Sequence, residues 1–291
     1  MHEIIDFLSN MVLWFVVYSF AGWAYETVLV SVQQKRFVNR GFLNGPLCPI
    51  YGCGAVMAAV LLPASWPDWA VFTTSAVAAC LLEYVTSIVM EEMFHARWWD
   101  YSSYKFNYQG RVCLLGFIVF GVAGLAIVEY AQPALETLTA MLPSPWRLVI
   151  AVVTSLAVII DFIVSIVGTY GLDKTAGKLR EVTEAMEDSK AARALTALRD
   201  NVHVPTSVAN KAARLGELAS KTMNSQQKRM LASFPRLRFT AIEDGFTTDL
   251  KTAIAGRWHD AVSKIDRPSA GIEVVTDADG KQSATGSGDE D

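Results

Sequence analysis

The feature that most limits the fold of this chain is a series of five apolar runs, at about residues 5–32, 47–63, 68–94, 113–131 and 147–171. About 20 apolar residues carry a helix across the hydrocarbon of a bilayer, where a helix or a closed barrel alone satisfies every backbone polar group without water. Most of the runs come close to that length. The second, Leu47 to Leu62, is the weak one, interrupted by Pro49, Gly52 and Gly54, and predicts a short tilted helix with an unwound start. The implied fold class is all-α: a polytopic helical membrane protein with about five transmembrane spans and a cytoplasmic helical C-terminal extension.

Orientation follows from charge. The net charge of -4 conceals a segregation, since 18 of the 25 Lys and Arg residues follow Gly171. Lys35, Arg36 and Arg40 follow the first run and Arg97, Lys105 and Arg111 the third, whereas the opposite side carries only Arg147. Positively charged loops stay in the cytoplasm, which places the N-terminus outside and the C-terminus inside a multi-pass protein of the cytoplasmic membrane. The opening "MHEIIDFLSN" has no basic region and no small-residue cleavage site, so the first run reads as a retained span.

Three segments follow: a transmembrane domain over 1–171, a cytoplasmic amphipathic helical segment over 172–240, and a largely disordered acidic tail over 241–291. Leu172, Leu179, Val182 and Met186, then Leu195 and Leu198, then Leu215 and Leu218 recur at helical spacing. Pro205 in "NVHVPTS" predicts a break between two helices. Cys48, Cys53, Cys80 and Cys113 lack zinc-ligand spacing and read as packing residues. No metal, cofactor or nucleic-acid partner is expected.

Chemistry concentrates in three acids and two loops. Glu26, Glu83 and Asp161 lie within the runs with no Lys or Arg at comparable depth, where an ionisable side chain faces protein or a polar cavity. Such acids hold a proton, gather round a cation, or reach loop arginines from below; Asp161 reads first as structural. The loop "RFVNRGFLNGPLCPIYGCG" (36–54), which contains Asn44, keeps its backbone out of a helix with Gly45, Pro46, Pro49 and Gly52. The segment "RWWDYSSYKFNYQGR" (97–111) packs Trp98, Trp99, Asp100 and Tyr101 between Arg97 and Arg111. An aromatic interfacial belt accounts for the tryptophans but not for Asp100 between rings. The pattern predicts a lid in which Asp100 pairs with a loop arginine, a tryptophan closes the apolar edge, and Arg111 faces the carboxylates from below.

"GWAYE" (22–26), "RGFLNGPLCPIYGCGA" (40–55) and "LEYVTSIVMEEMFHARWWDYSSYKFNYQGRVCL" (82–114) resemble the bacterial ABC-transporter type IV, or CmpB-like, membrane permease family over roughly residues 1–171. "QQKRMLASFPRL" (226–237) is similar to a tail segment of such proteins. The resemblance implies a permease subunit of a bacterial membrane and, as partners beyond the lipid bilayer, a separate ATPase subunit. "GLDKTAGKL" (171–179) is not a phosphate-binding loop, because five residues separate its glycines and Leu179 stands where Ser or Thr would hold magnesium.

The leading function is therefore a permease subunit without its own ATPase, its polar cavity opening to the cytoplasm among Glu26, Asn44, Glu83, Arg97, Trp98, Trp99, Asp100, Tyr101 and Arg111. Two alternatives stay open. One is an integral-membrane enzyme on a lipid or amphiphile, with Glu83, Glu26 or Asp100 as acid or base and Arg97 and Arg111 on an anionic head group. The other is a scaffold whose cytosolic helices recruit a partner. Five spans are few for a transporter, which makes an oligomer the expected assembly.

Overall fold

The computed structural model describes residues 2–199 and 209–265. The chain is an all-α helical membrane protein. Four helical stretches are long and apolar enough to cross a bilayer: α1 (His2–Gln34), α3 (Asp68–Phe94), the rod Leu114–Ala140, and α6 (Ser144–Thr169), which runs with little interruption into α7 (Leu172–Arg199). The fifth expected span is α2 (Pro49–Leu61), 13 residues and about 20 Å long, too short to cross by itself.

The rod corrects one expected boundary. A span ending near 131 instead continues as α4 (Leu114–Ala126), a π turn (Ile127–Ala131) and α5 (Gln132–Ala140). Pro133 explains the π turn: it has no N–H, and its ring would collide with the carbonyl four residues back, on Glu129. Widening the turn by one residue, so that the Gln132 amide bonds to the Ile127 carbonyl, accommodates the ring without breaking the rod. The same adjustment turns Gln132 and Thr139 inward, where Tyr18 donates to Gln132 at 3.0 Å and Trp14 to Thr139 at 3.3 Å.

Lipid tails solvate leucine as well as another leucine does, so helices in a bilayer associate through close packing and polar contacts. Glycines provide the close packing here. A Cβ on Gly52 of α2 would sit 2.1 Å from Ser19 Oγ, and one on Gly22 of α1 would sit 2.3 Å from the Tyr51 ring. Between α3 and α4, a Cβ on Gly121 would strike the Phe72 ring at 2.5 Å, and one on Gly124 would meet Ser75 Oγ at 2.1 Å. Gly54 makes only ordinary contact with Leu82 at 3.7 Å; the tight face of α2 is the one bearing Gly52 and buried Ala55. At the end of the bundle holding the N-terminus, Arg147 of α6 pairs with Asp6 of α1 at 3.2 Å, so these helices run parallel. Outward, α6 exposes Val153, Ile160 and Val167, a seven-residue stripe suited to lipid.

The largest apolar cluster lies at the other end. Gly171, at φ 71°, allows the turn from α6 into α7. Helices α7, α8 (Ala209–Thr222), α9 (Ser225–Ser233) and α10 (Asp244–Ile265) contribute Leu172, Leu215, Met230, Leu231 and Leu250 to a core completed by Phe94 and Trp98 from the bundle. Two residues beyond the end of α3, strand β1 (Ala96–Arg97) pairs antiparallel with β4 (Arg238–Phe239), joining tail to bundle. A second short pair, β2 (Asn107–Tyr108) with β3 (Val112–Cys113), closes the loop before α4. Helix α10 corrects the expectation of a largely disordered tail from 241. Leu250, Ala253 and Ile254 recur at helical spacing and are buried, which repays the ordering of this segment. The rest of that tail and the expected break at Pro205 lie outside the described residues.

Two outcomes follow from this packing. Gly121→Val should destabilise the bundle by about 1–3 kcal/mol through overpacking, whereas Gly177→Ala, with nothing within 4 Å of the added Cβ, should be neutral or slightly stabilising in thermal unfolding of the detergent-solubilised protein. Lys251 donates to the carbonyls of Pro235 and Leu237, and burial pulls it from 10.5 down to about 8, Asp244 opposing and Arg238 reinforcing the effect. The unfolded tail then holds more protons between those values, so tail stability should rise from pH 8 to pH 10.5. Lys251→Gln should flatten that slope in a pH series of melting curves.

Candidate functional site

The loop between α1 and α2 does not leave the bundle; it climbs back along α1. The Val38 amide donates to Ser31 Oγ at 2.9 Å, the Arg40 amide to Thr27 Oγ1 at 3.3 Å, and the Cys48 amide to the Ser19 carbonyl at 2.9 Å. From Ser31 to Ser19 is about 18 Å of helix axis. This re-entry is why α2 starts late and stays short. Irregular backbone at such depth must be satisfied by protein, and Asp161 of α6 does much of that. It accepts from the Asn44 amide at 3.0 Å, the Gly45 amide at 2.7 Å, Asn44 Nδ2 at 3.0 Å and Ser165 Oγ at 3.3 Å. A Cβ on Gly45 would come within 3.1 Å of the carboxylate. Asn44 thus spends its donors on the Asp161 clamp.

The re-entrant loop delivers Arg40 to Glu26. Arg40 Nε lies 3.1 Å from Glu26 Oε2, and the Tyr51 hydroxyl donates to Oε1 at 2.7 Å. Tyr51 fits because Gly22, one turn before Glu26 on the same face, leaves its ring room. Of the three options for an intramembrane acid, Glu26 therefore takes the loop arginine.

Glu83 of α3 is only 8% exposed, and its environment differs. The Tyr101 hydroxyl donates to Oε1 at 3.0 Å, while Oε2 is buried with no hydrogen-bond donor among the described residues. Gly116 of α4 lies beside it, its absent Cβ 4.0 Å from Oε2. Burial, then the charge and hydrogen bond of Glu83, then the charge of Glu26, push the Tyr101 phenol well above its ordinary range, so it stays a donor. Tyr101, on its loop, also lies near enough to Glu26 to feel its charge.

The loop 95–113 folds back against α3 and the tail, and several of its contacts differ from the expected lid. Arg111 does not face Glu83. Its Nη1 binds Glu91 at 2.8 Å and Ser87 Oγ at 2.8 Å, and Arg97 Nε approaches the same Glu91 oxygen at 3.4 Å. Glu83, Ser87 and Glu91 stand one turn apart on α3, and the guanidinium at the loop's end reaches the nearer acid. Asp100 pairs with Arg238 of the tail at 2.6 Å, not with a loop arginine. Its other oxygen is tied to the Ser102 amide and hydroxyl in a tight turn, for which Gly110 at φ 66° makes room: a Cβ there would lie 2.6 Å from Asp100. Burial works to raise the Asp100 carboxyl, but Ser102 and Arg238 outweigh it and hold it below its usual value.

Trp98 is not a membrane anchor. It is 2% exposed and packs edge-on against Phe42, Phe94 and Phe234, with centroids 5.6, 5.5 and 4.8 Å away. Trp99 donates its indole N–H to the Arg111 carbonyl at 3.1 Å, closing the loop on itself. Ser102 and Ser103 are exposed, so the loop is buried at its base and open at its tip.

Sequence reasoning missed Tyr51, Glu91 and Arg238 as site residues. Tyr51 had a local signal in the first turn after Pro49; the Arg238 pair spans 138 positions and had none. Glu129, exposed in the π turn, and Glu136 were also absent from the count of intramembrane acids. A shallow apolar groove of about 280 Å³, lined by Val77, Leu81, Tyr84, Val112 and Phe117, lies between α3 and α4 and includes none of the expected site residues. Among the described residues no three His, Cys, Asp or Glu side chains are grouped to hold a metal ion.

No curated protein and no solved structure matches the chain. A family model described as "Putative ABC-transporter type IV" matches residues 13–166, from α1 through α6, and takes in Glu26, Tyr51, Glu83, Tyr101 and both the re-entrant loop and the 95–113 loop. With more than half of its length so matched, the chain belongs to the ABC-transporter type IV family.

Proposed function

We propose that this protein is a permease subunit whose polar site is the Glu26–Tyr51 and Glu83–Tyr101 pair, opening toward the tail end of the bundle, and that a separate subunit supplies ATP hydrolysis. The observation that carries the reading is Glu83: an intramembrane carboxylate whose Oε2 is buried without a protein donor, beside a second carboxylate already neutralised by Arg40. A polar group in a bilayer costs several kcal/mol when unsatisfied, and such groups persist where they serve a pathway. The site retains one open carboxyl acceptor, chemistry suited to a cationic or hydrogen-bond-donating solute. The tail end, which carries 18 of the 25 basic residues, is the cytoplasmic end.

Glu83→Gln tests the site. The amide keeps size and hydrogen-bonding capacity but removes the titratable group, so the variant should express and fold normally yet lose stimulation of the ATPase purified with the wild-type chain. Full stimulation by Glu83→Gln, or purification of the tagged wild-type chain without any ATP-hydrolysing subunit, would count against the proposal. For orientation, a cysteine at exposed Ser65 in a cysteine-free background should react with an impermeant maleimide on intact cells, and one at exposed Ser103 only after permeabilisation. The opposite pattern would invert the assignment.

A further inference from the structure

We infer that the tail segment 224–239 is a releasable clasp over the carboxylate site, whose departure frees the re-entrant loop 35–48 and the covering loop 95–113 together. The inference rests on reading Glu26 and Glu83 as the site. Its basis is that one short stretch of tail grips both loops, and that each loop carries the partner of one carboxylate.

The grip on the first loop is polar. Helix α9 is started by a capping box between Asn224 and Gln227 and ends before Pro235, which fixes its short length. From it Arg229 donates to the carbonyls of Gly41 at 3.1 Å and Phe42 at 2.7 Å, and Ser233 Oγ to that of Asn39 at 2.7 Å. In return Arg40, the partner of Glu26, donates to the Ser233 carbonyl and lies over the Phe234 ring at 4.1 Å. The arginine that neutralises Glu26 is thus held from below by the tail.

The second loop is gripped by the next residues. Phe234 presses edge-on against Trp98, Arg238 pairs with Asp100, and β4 lies in register with β1, Ala96 opposite Phe239 and Arg97 opposite Arg238. Asp100 immediately precedes Tyr101, the donor to Glu83. Phe234 therefore touches Arg40 on one side and Trp98 on the other, one ring wedged between the two loops.

Release is built into the chemistry of the grip. Arg229 has no carboxylate within ion-pair distance among the described residues; its contacts are carbonyls and Gln226, and burial lowers it to about 10 from 12.5, the charge of Asp161 partly opposing. A desolvated guanidinium held by neutral acceptors regains hydration when it leaves. The Arg238–Asp100 pair has an Arg238 side chain 48% exposed, where ion pairs contribute little. The polar contacts to the two loops are numerous enough to close the site and individually weak enough to open, while Met230, Leu231 and Leu237 keep the segment fixed in the tail core.

Two native thiols report on opening. Cys48 and Cys113 are both buried; the former sits within the fields of Glu26 and Arg40, the latter beside Tyr101 and Gly116. In the full chain carrying Cys53→Ala and Cys80→Ala, reconstituted in liposomes, a water-soluble maleimide should leave both thiols largely unlabelled. Arg229→Ala and Phe234→Ala should each raise the labelling rate of both by about tenfold or more, as expected for a local opening made easier. Adding Arg97→Cys with Arg238→Cys to the Phe234→Ala chain places two thiols at facing positions of an antiparallel pair, within disulfide reach. Oxidation should restore protection of Cys48 and Cys113, and reduction should remove it; a misfolded variant would not recover on oxidation. Labelling unchanged by the substitutions, opening of one thiol without the other, or loss of protection that the disulfide fails to restore would overturn the clasp. No substrate or ATPase enters this measurement, so its outcome is separate from that of the permease reading.

Discussion

A polar group in hydrocarbon must find its partner inside the protein, and the architecture around the membrane domain is largely a response to that demand. Glu26 draws the α1–α2 loop up along its own helix, because the arginine it needs is on that loop. Once the loop re-enters, its own amides require acceptors, and Asp161 supplies them from α6. Helix α2 is then left with 13 residues in which to reach the far side. Three features that look separate in the sequence, a basic loop, a Gly/Pro-rich stretch and an acid in the last span, are consequences of one desolvation problem.

Glu83 stands apart from this pattern. The two arginines nearest in sequence to its side of α3 are committed to Glu91, and its one donor among the described residues is a phenol on a loop. An acid so placed is neither an acceptor for re-entrant loop amides, like Asp161, nor half of an ion pair, like Glu26. That difference is what separates a functional reading of Glu83 from a structural one, and it is visible only when the destinations of Arg97 and Arg111 are known.

The hydrophobic effect acts chiefly outside the membrane. Within the bilayer apolar side chains face lipid at little cost, and glycine contacts set the helix spacing. At the tail end water returns, and Leu172, Leu215, Met230, Leu250 and Trp98 form the largest buried apolar cluster. Trp98 belongs to the 95–113 loop yet is enclosed mainly by other segments, so the loop's geometry depends on a core to which it contributes Trp98 fully and Trp99 in part.

The sequence by itself determined the helical class, the long spans and the weakness of the second one, because apolar length and the exclusion of Gly and Pro are local properties that the bilayer reads directly. It also marked Glu26, Glu83 and the 97–111 loop as chemically dense, since charge inside an apolar run is visible without coordinates. Tertiary structure alone decided the pairings: Arg40 rather than a proton or cation at Glu26, Glu91 rather than Glu83 for Arg111, and Arg238 rather than a loop arginine for Asp100. It also decided that Trp98 is core and that 244–265 is a helix, which composition assigned to a tail. In each case the energy depends on which groups share a desolvated space, and that is set by how separate segments pack against one another rather than by their neighbours in the chain.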